Sequence, residues 1–116
     1  MEEERQKEKE NKRVYIAGPM TGHPDWNYPA FHEAAKELRE MGYQVSSPAE
    51  MHSEHPKESL DALQKDRERC MREAIGMLIR CDYIVLLSGW EGSRGAILEK
   101  RIADEIGIKT LHLKRE

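Results

Sequence analysis

The sequence predicts an α/β fold, a three-layer α/β/α sandwich built on a small parallel sheet, and three observations lead there. Strand-like apolar runs alternate along the chain with segments of helical periodicity, the order that builds a parallel sheet covered on both faces. The strongest run, Asp82-Tyr83-Ile84-Val85-Leu86-Leu87, is continuously apolar after its first residue, as in strands buried on both sides. The two best strands each run into a glycine-bearing loop, Gly18–Asp25 and Ser88–Gly95. Ligands of such sheets sit beyond the carboxyl ends of the strands, so these loops are the first functional clue.

The elements follow in order. Arg13-Val14-Tyr15-Ile16-Ala17 reads as a buried strand, stopped by Gly18-Pro19. A loop continues through Thr21–Trp26, and a helix starts near Asn27, an N-cap residue type, with Pro29 in its first turn. Phe31, Ala34, Ala35, Leu38 and Met41 share one face of that helix, and Gly42 is placed to end it. Tyr43–Ser46 is a second, shorter strand closed by Pro48, and Glu50–Pro56 is loop. A long helix runs from about Leu60 to Arg80, with Leu60, Leu63, Cys70, Met71, Ala74, Ile75, Leu78 and Ile79 spaced by threes and fours. After the 82–87 strand and its loop, a helix from Ala96 to Ile106 stops at Gly107, and Lys109–Leu113 is the last strand.

Composition narrows the function. A chain of 116 residues fits one domain. Between Glu2 and Arg13 ten of twelve residues are charged, so residues 1–12 read as a charged tail, disordered or a frayed helix, ahead of one domain over 13–116. Nineteen Lys and Arg against 22 Asp and Glu leave a net charge of −3, which gives no field for a nucleic acid polymer or an acidic membrane surface. No apolar run approaches the ~20 residues of a membrane span, and the N-terminus lacks the apolar core of a secretory signal. Cys70 and Cys81 are too few for a disulfide framework, and they read as core thiols. A cytoplasmic location is expected.

The second loop enters a helix directly, so Ser93, Arg94 and Gly95 lie where free N–H groups and the helix dipole favour an anion. Ser93 either caps that helix or grips a phosphate or carboxylate, and Arg94 is either a ligand cation or solvated. Glu99 stands four residues past Gly95, placed to project back toward the strand ends as a nucleophile or base. Trp26 and Trp90 fall in the two loops and either stack on a ring or cover the core edge. Tyr15, if buried, needs a partner for its hydroxyl, Glu99 or a backbone carbonyl. His52 and His55 with Glu50 and Glu54 match no zinc spacing, so neither a metal nor another cofactor is expected.

Three pieces together, Tyr15-Ile16-Ala17-Gly18-Pro19-Met20-Thr21-Gly22 with Asn27 and Ala30-Phe31, the strand Cys81–Leu87, and Gly89-Trp90-Glu91-Gly92-Ser93-Arg94-Gly95-Ala96 with Glu99, resemble the nucleoside 2-deoxyribosyltransferase-like superfamily. The nearest group is the small bacterial and phage relatives catalogued as a domain of unknown function. The resemblance spans about residues 13–110. It implies a flavodoxin-like (Rossmann-like) sandwich that assembles as a homodimer or larger homo-oligomer, and a small-molecule nucleoside or nucleotide as partner. Characterised members cleave the N-glycosidic bond of a 2′-deoxynucleoside or its 5′-monophosphate, and Glu99 matches their nucleophile. Tyr15 matches the tyrosine that orients it, and Ser93 the serine that holds a 5′-phosphate. Gly18, Pro19, Met20, Gly22, Asn27, Trp90, Arg94 and Gly95 complete the implied substrate site. The long helix departs from the pattern: Ala74, with Glu73 beside it, stands where those enzymes carry an Asp, and Asp66 and Glu68 lie about two turns earlier.

These residues support three readings: a glycosidase or transferase acting through Glu99, a nucleotide-binding module of the same fold without turnover, and an oligomeric structural domain whose loops only pack. Base release separates the first from the others, and ligand-induced stabilisation separates the second from the third.

Overall fold

A computed structural model describes the backbone of residues 11–50 and 60–113 and the side chains of 11–50 and 67–113. The expected tail up to residue 10, the 51–56 stretch, and the side chains of Leu60, Leu63 and Asp66 lie outside the described residues. Strand β1 (Arg13–Ala17) leads through a tight turn (Pro24–Asn27) to helix α1 (Tyr28–Glu40), then to β2 (Gln44–Ser46). Helix α2 (Leu60–Leu78), β3 (Tyr83–Leu86), α3 (Arg94–Glu105) and β4 (Lys109–Thr110) complete the order. The sheet is parallel throughout, in the order β2-β1-β3-β4, with Val14 opposite Val45 on one side and Tyr83 on the other.

That order fixes where helices go. The chain leaves β1 toward β2 in one direction and crosses from β2 to β3 and from β3 to β4 in the other. Right-handed crossovers then place α1 on one face of the sheet and α2 and α3 on the opposite face. The core divides accordingly. Val14, Ile16, Val85 and Leu87 pack with Phe31, Ala34, Ala35 and Leu38 of α1. Tyr15, Ala17 and Ile84 point the other way and pack with Ala74 and Leu78 of α2 and Ala96 and Ala103 of α3. Alternation along each strand is thus apolar on both faces, the three-layer sandwich expected from the continuous runs.

The helix ends explain the sharp returns. Gly42 (φ 103°) and Gly107 (φ 84°) supply the left-handed residue after α1 and α3. Tyr43 N donates to Leu38 O at 3.1 Å and Ile108 N to Ala103 O at 2.8 Å, the same closing bond in both helices. Two expectations fail at such ends. Met41, assigned to the buried face of α1, is exposed, because it is the residue at which that helix already turns into the closing loop. Ile79, assigned to α2, is exposed beyond the last helical turn. No helix of the described residues is long and apolar enough to cross a membrane.

Candidate functional site

The direction of the connections reverses between β1 and β3, the kind of switch point beyond which ligands of parallel sheets bind. The segment after β1 and the one after β3 flank it, and they touch. Gly18 lies so close to β3 that a Cβ there would stand 2.8 Å from Leu87 Cβ, and a Cβ on Gly89 would stand 3.4 Å from Pro19 Cγ. Leu87 N donates to Ala17 O at 2.8 Å, which locks the two strand ends together.

Tyr15 and Glu99 meet beside this switch point, on the α3 side of β1. Glu99 lies on the inner face of α3 between Ala96 and Ala103, one turn either side, and is only 6% exposed. Tyr15 on β1 is fully buried and donates its hydroxyl to Glu99 Oε2. Of the two partners left open for that hydroxyl, the carboxyl is the one taken. Burial pushes the Glu99 carboxyl up to about 7, against the smaller opposing effect of the Tyr15 hydroxyl. Burial, the Glu99 charge and the bond to it hold the Tyr15 proton far above its ordinary range, so Tyr15 stays a donor. Other carboxylates are placed elsewhere: Asp82 accepts from Arg13 N at the opposite end of the sheet, Asp104 pairs with Lys100, and Glu50 pairs with Arg39.

Ser93 is the cap of α3: its Oγ accepts from Ala96 N at 3.2 Å. Its own N–H is taken by Trp90 O, which leaves the amides of Arg94 and Gly95 as the first-turn donors with no backbone partner outside the helix.

Residues 12–112 match the model of a family described as a domain of unknown function, DUF4406. The chain belongs to that family. Two solved structures are similar to this DUF4406 chain. The 2-deoxyribosyltransferase from Bacillus psychrosaccharolyticus is 17% identical with a TM-score of 0.64, over 86% of this chain and 70% of that one. The 2-desoxiribosyltransferase from Leishmania mexicana is 20% identical with a TM-score of 0.63, over 88% of this chain and 63% of that one. The DUF4406 chain therefore has the fold of these proteins. Comparison with curated proteins gave no match.

Within this DUF4406 domain the remaining expected site residues divide. Tyr15 and Glu99 are bonded to each other, Gly18 and Pro19 lie against the segment after β3, and Ser93 and Gly95 open α3 ahead of Glu99, with Trp90 half-buried against the cluster that holds Tyr15. Arg94 is exposed, Gly22 sits exposed in its loop, and Met20 packs against the α1 side of the core. Asn27 occupies the cap position of α1, but its side chain makes no cap there; its Nδ2 donates to Pro19 O at 2.9 Å and holds the first loop instead. It can do so because Asp25, Trp26 and Asn27 form a left-handed turn (φ 52°, 56° and 61°), each at a steric cost of roughly 1–2 kcal/mol. Trp26 lines an open cleft with Tyr28, Pro29 and His32. Among the described residues no three His, Cys, Asp or Glu come together to hold a metal; His52 and His55 lie outside them.

Sequence reasoning put Met71 on the apolar face of the long helix but did not bring it to the site. Its Cε would stand 2.8 Å from a Cβ on Gly95, so α2 covers the first turn of α3. The i, i+3, i+7 spacing of Met71, Ala74 and Leu78 was the available signal. This contrast makes a prediction. Gly18→Ala drives a methyl into Leu87 at the root of its side chain and is expected to cost about 1–3 kcal/mol in urea unfolding. Gly95→Ala meets only the flexible end of Met71 and gains about 1 kcal/mol of helix propensity, so its midpoint should stay near wild type. Equal losses would contradict this packing.

Proposed function

We propose that this protein cleaves or transfers at the N-glycosidic bond of a (deoxy)nucleoside or its 5′-monophosphate, with Glu99 as the nucleophile. The observation that carries the reading is the buried Glu99–Tyr15 pair beside the switch point between β1 and β3. A carboxyl at about 7 is substantially ionised at neutral pH yet desolvated, the state in which a carboxylate attacks. Glu99 forms a bond to the anomeric carbon as the C1′–N bond breaks, and the electron pair goes to the base. Developing oxocarbenium charge is stabilised by the same carboxylate. Water or a second base then attacks C1′ and frees Glu99. Tyr15 orients the carboxyl and withdraws charge from Oε2. The Arg94 and Gly95 amides, the positive end of the α3 dipole and the Ser93 hydroxyl suit a 5′-phosphate. The fold shared with two deoxyribosyltransferases supports the reading.

Free-base release by chromatography from a panel of nucleosides and 5′-mononucleotides tests it. Wild type should release base from at least one member, and Glu99→Ala should lower the rate on the order of 10³-fold or more. Absence of release from every member, with a thermal shift from one, would replace this reading by that of a nucleotide-binding module.

A further inference from the structure

Among the described residues Glu99 is the only buried charged side chain, and only one of its oxygens is engaged. Oε2 accepts from Tyr15; among the described residues no donor reaches Oε1, and no Lys, Arg or His pairs with the carboxylate. The surroundings are apolar. Ala17 comes from β1, Ala96 and Ala103 from α3, and Ala74 and Leu78 from α2, with Met71 laid over Gly95. A buried anion with one hydrogen bond and no cation is an incomplete pair, because desolvation is not offset. The two acidic groups of this cluster are both committed: the Tyr15 hydroxyl donates to Glu99, and the Cys81 Sγ donates to Met77 O. A neutral nucleobase departing from C1′ needs a proton, and a positioned acid is worth about 10²–10⁴ in rate. The methyl groups and the thioether that make up the rest of these surroundings cannot lend one.

We propose that the preferred substrate is an N-glycoside whose aglycone is a quaternised heteroaromatic ring, positively charged while attached and neutral once released. The inference rests on the Glu99 reading above and names its substrate class. The ring's charge completes the pair with Glu99 in the bound state, and its flat apolar face suits the Met71–Ala74 wall. Glu99 donates an electron pair to C1′; the C1′–N pair returns to the ring and cancels its charge, so no proton is transferred to the leaving group. Water then attacks C1′, the C1′–O bond to Glu99 breaks, and the water's proton passes to solvent.

The test compares 7-methylguanosine 5′-monophosphate with guanosine 5′-monophosphate, and adds the pyridinium nucleotide nicotinamide mononucleotide, on the full chain beside Glu99→Gln. The ratio of kcat/KM for the methylated over the unmethylated substrate is expected to be at least the ratio of their uncatalysed cleavage rates at the same pH. Release should also occur from the pyridinium nucleotide, and both activities should vanish in Glu99→Gln. A protein that lends a proton accelerates the neutral base selectively and compresses that ratio by about 10²–10⁴. Such compression, or release from neutral nucleotides with neither charged probe cleaved, overturns this inference and leaves the Glu99 reading standing. Release from nothing overturns both.

Discussion

Glu99→Gln is expected to stabilise the protein at alkaline pH while abolishing base release. The folded chain holds the Glu99 proton up to about pH 7, whereas an unperturbed carboxyl releases it near 4.5. Between those values the folded state binds more protons than the unfolded state, so stability falls as pH rises. The contribution is fully present below about 4.5 and lost above about 7, and the difference between those values corresponds to about 3 kcal/mol. Glutamine has the same shape, stays neutral, and can accept the Tyr15 hydroxyl through its amide oxygen. Urea unfolding should therefore find the two proteins within about 1 kcal/mol at pH 4 and the variant more stable by about 3 kcal/mol at pH 8. A difference that does not change with pH would mean that Glu99 is not held protonated by the fold. Catalysis has the opposite requirement. Attack needs the anion, so wild-type kcat/KM should rise through about pH 7 as Glu99 ionises, and the variant should show no activity at either end. The site thus carries its reactive group at a cost to the fold, as expected where a buried charge serves chemistry rather than stability.

The layer architecture was legible because it rests on patterns that burial alone enforces. A continuous run such as 82–87 has no polar face to show solvent, and the helices between the runs announce one apolar stripe each. Strand ends were less legible: β3 is Tyr83–Leu86 and β4 only Lys109–Thr110, since the ladder stops where partners stop rather than where apolar residues do. Long-range contacts were hidden. Asp25 and Asn27 are residue types that tolerate the left-handed region, but nothing local marks Trp26, and the conformation is held by Asn27 reaching Pro19. That the Gly18 position has no room for a side chain is a property of Leu87 on another strand. Likewise, spacing put Glu99 near the strand ends, and only the resemblance favoured it over a backbone carbonyl as the neighbour of the Tyr15 hydroxyl. The Ser93 cap is the reverse case, where a short-range rule names the residue and the bond.

Tyr15→Phe isolates that neighbour, and its cost is expected to depend on pH. Phenylalanine fills the same buried space on β1, so what is lost is the hydroxyl bond to Glu99 Oε2. A bond to a neutral acceptor contributes about 1 kcal/mol and one to a carboxylate about 1.5–3 kcal/mol. Glu99 changes from the first kind to the second as it ionises, so the variant should lose about 1 kcal/mol below pH 4.5 and up to about 3 kcal/mol above pH 7. The same difference is a further rise in the Glu99 pKa, because the hydroxyl is the group that opposes burial there. The rise of kcat/KM with pH should therefore move to higher pH, a shift that a purely structural tyrosine would not produce. Tyr15 itself does not titrate in this window, since burial and the Glu99 charge hold its proton, and the other group acting on it is the buried Cys81 thiol, itself pushed up by burial. In a Glu99→Gln background Tyr15→Phe should cost about 1 kcal/mol at every pH, so the interaction energy of the pair should grow from acid to alkaline solution. An interaction energy constant between pH 4 and pH 8 would show that the hydroxyl does not distinguish the two forms of Glu99. If it grows as expected, a strand residue sets the pH at which a helix carboxyl becomes a nucleophile.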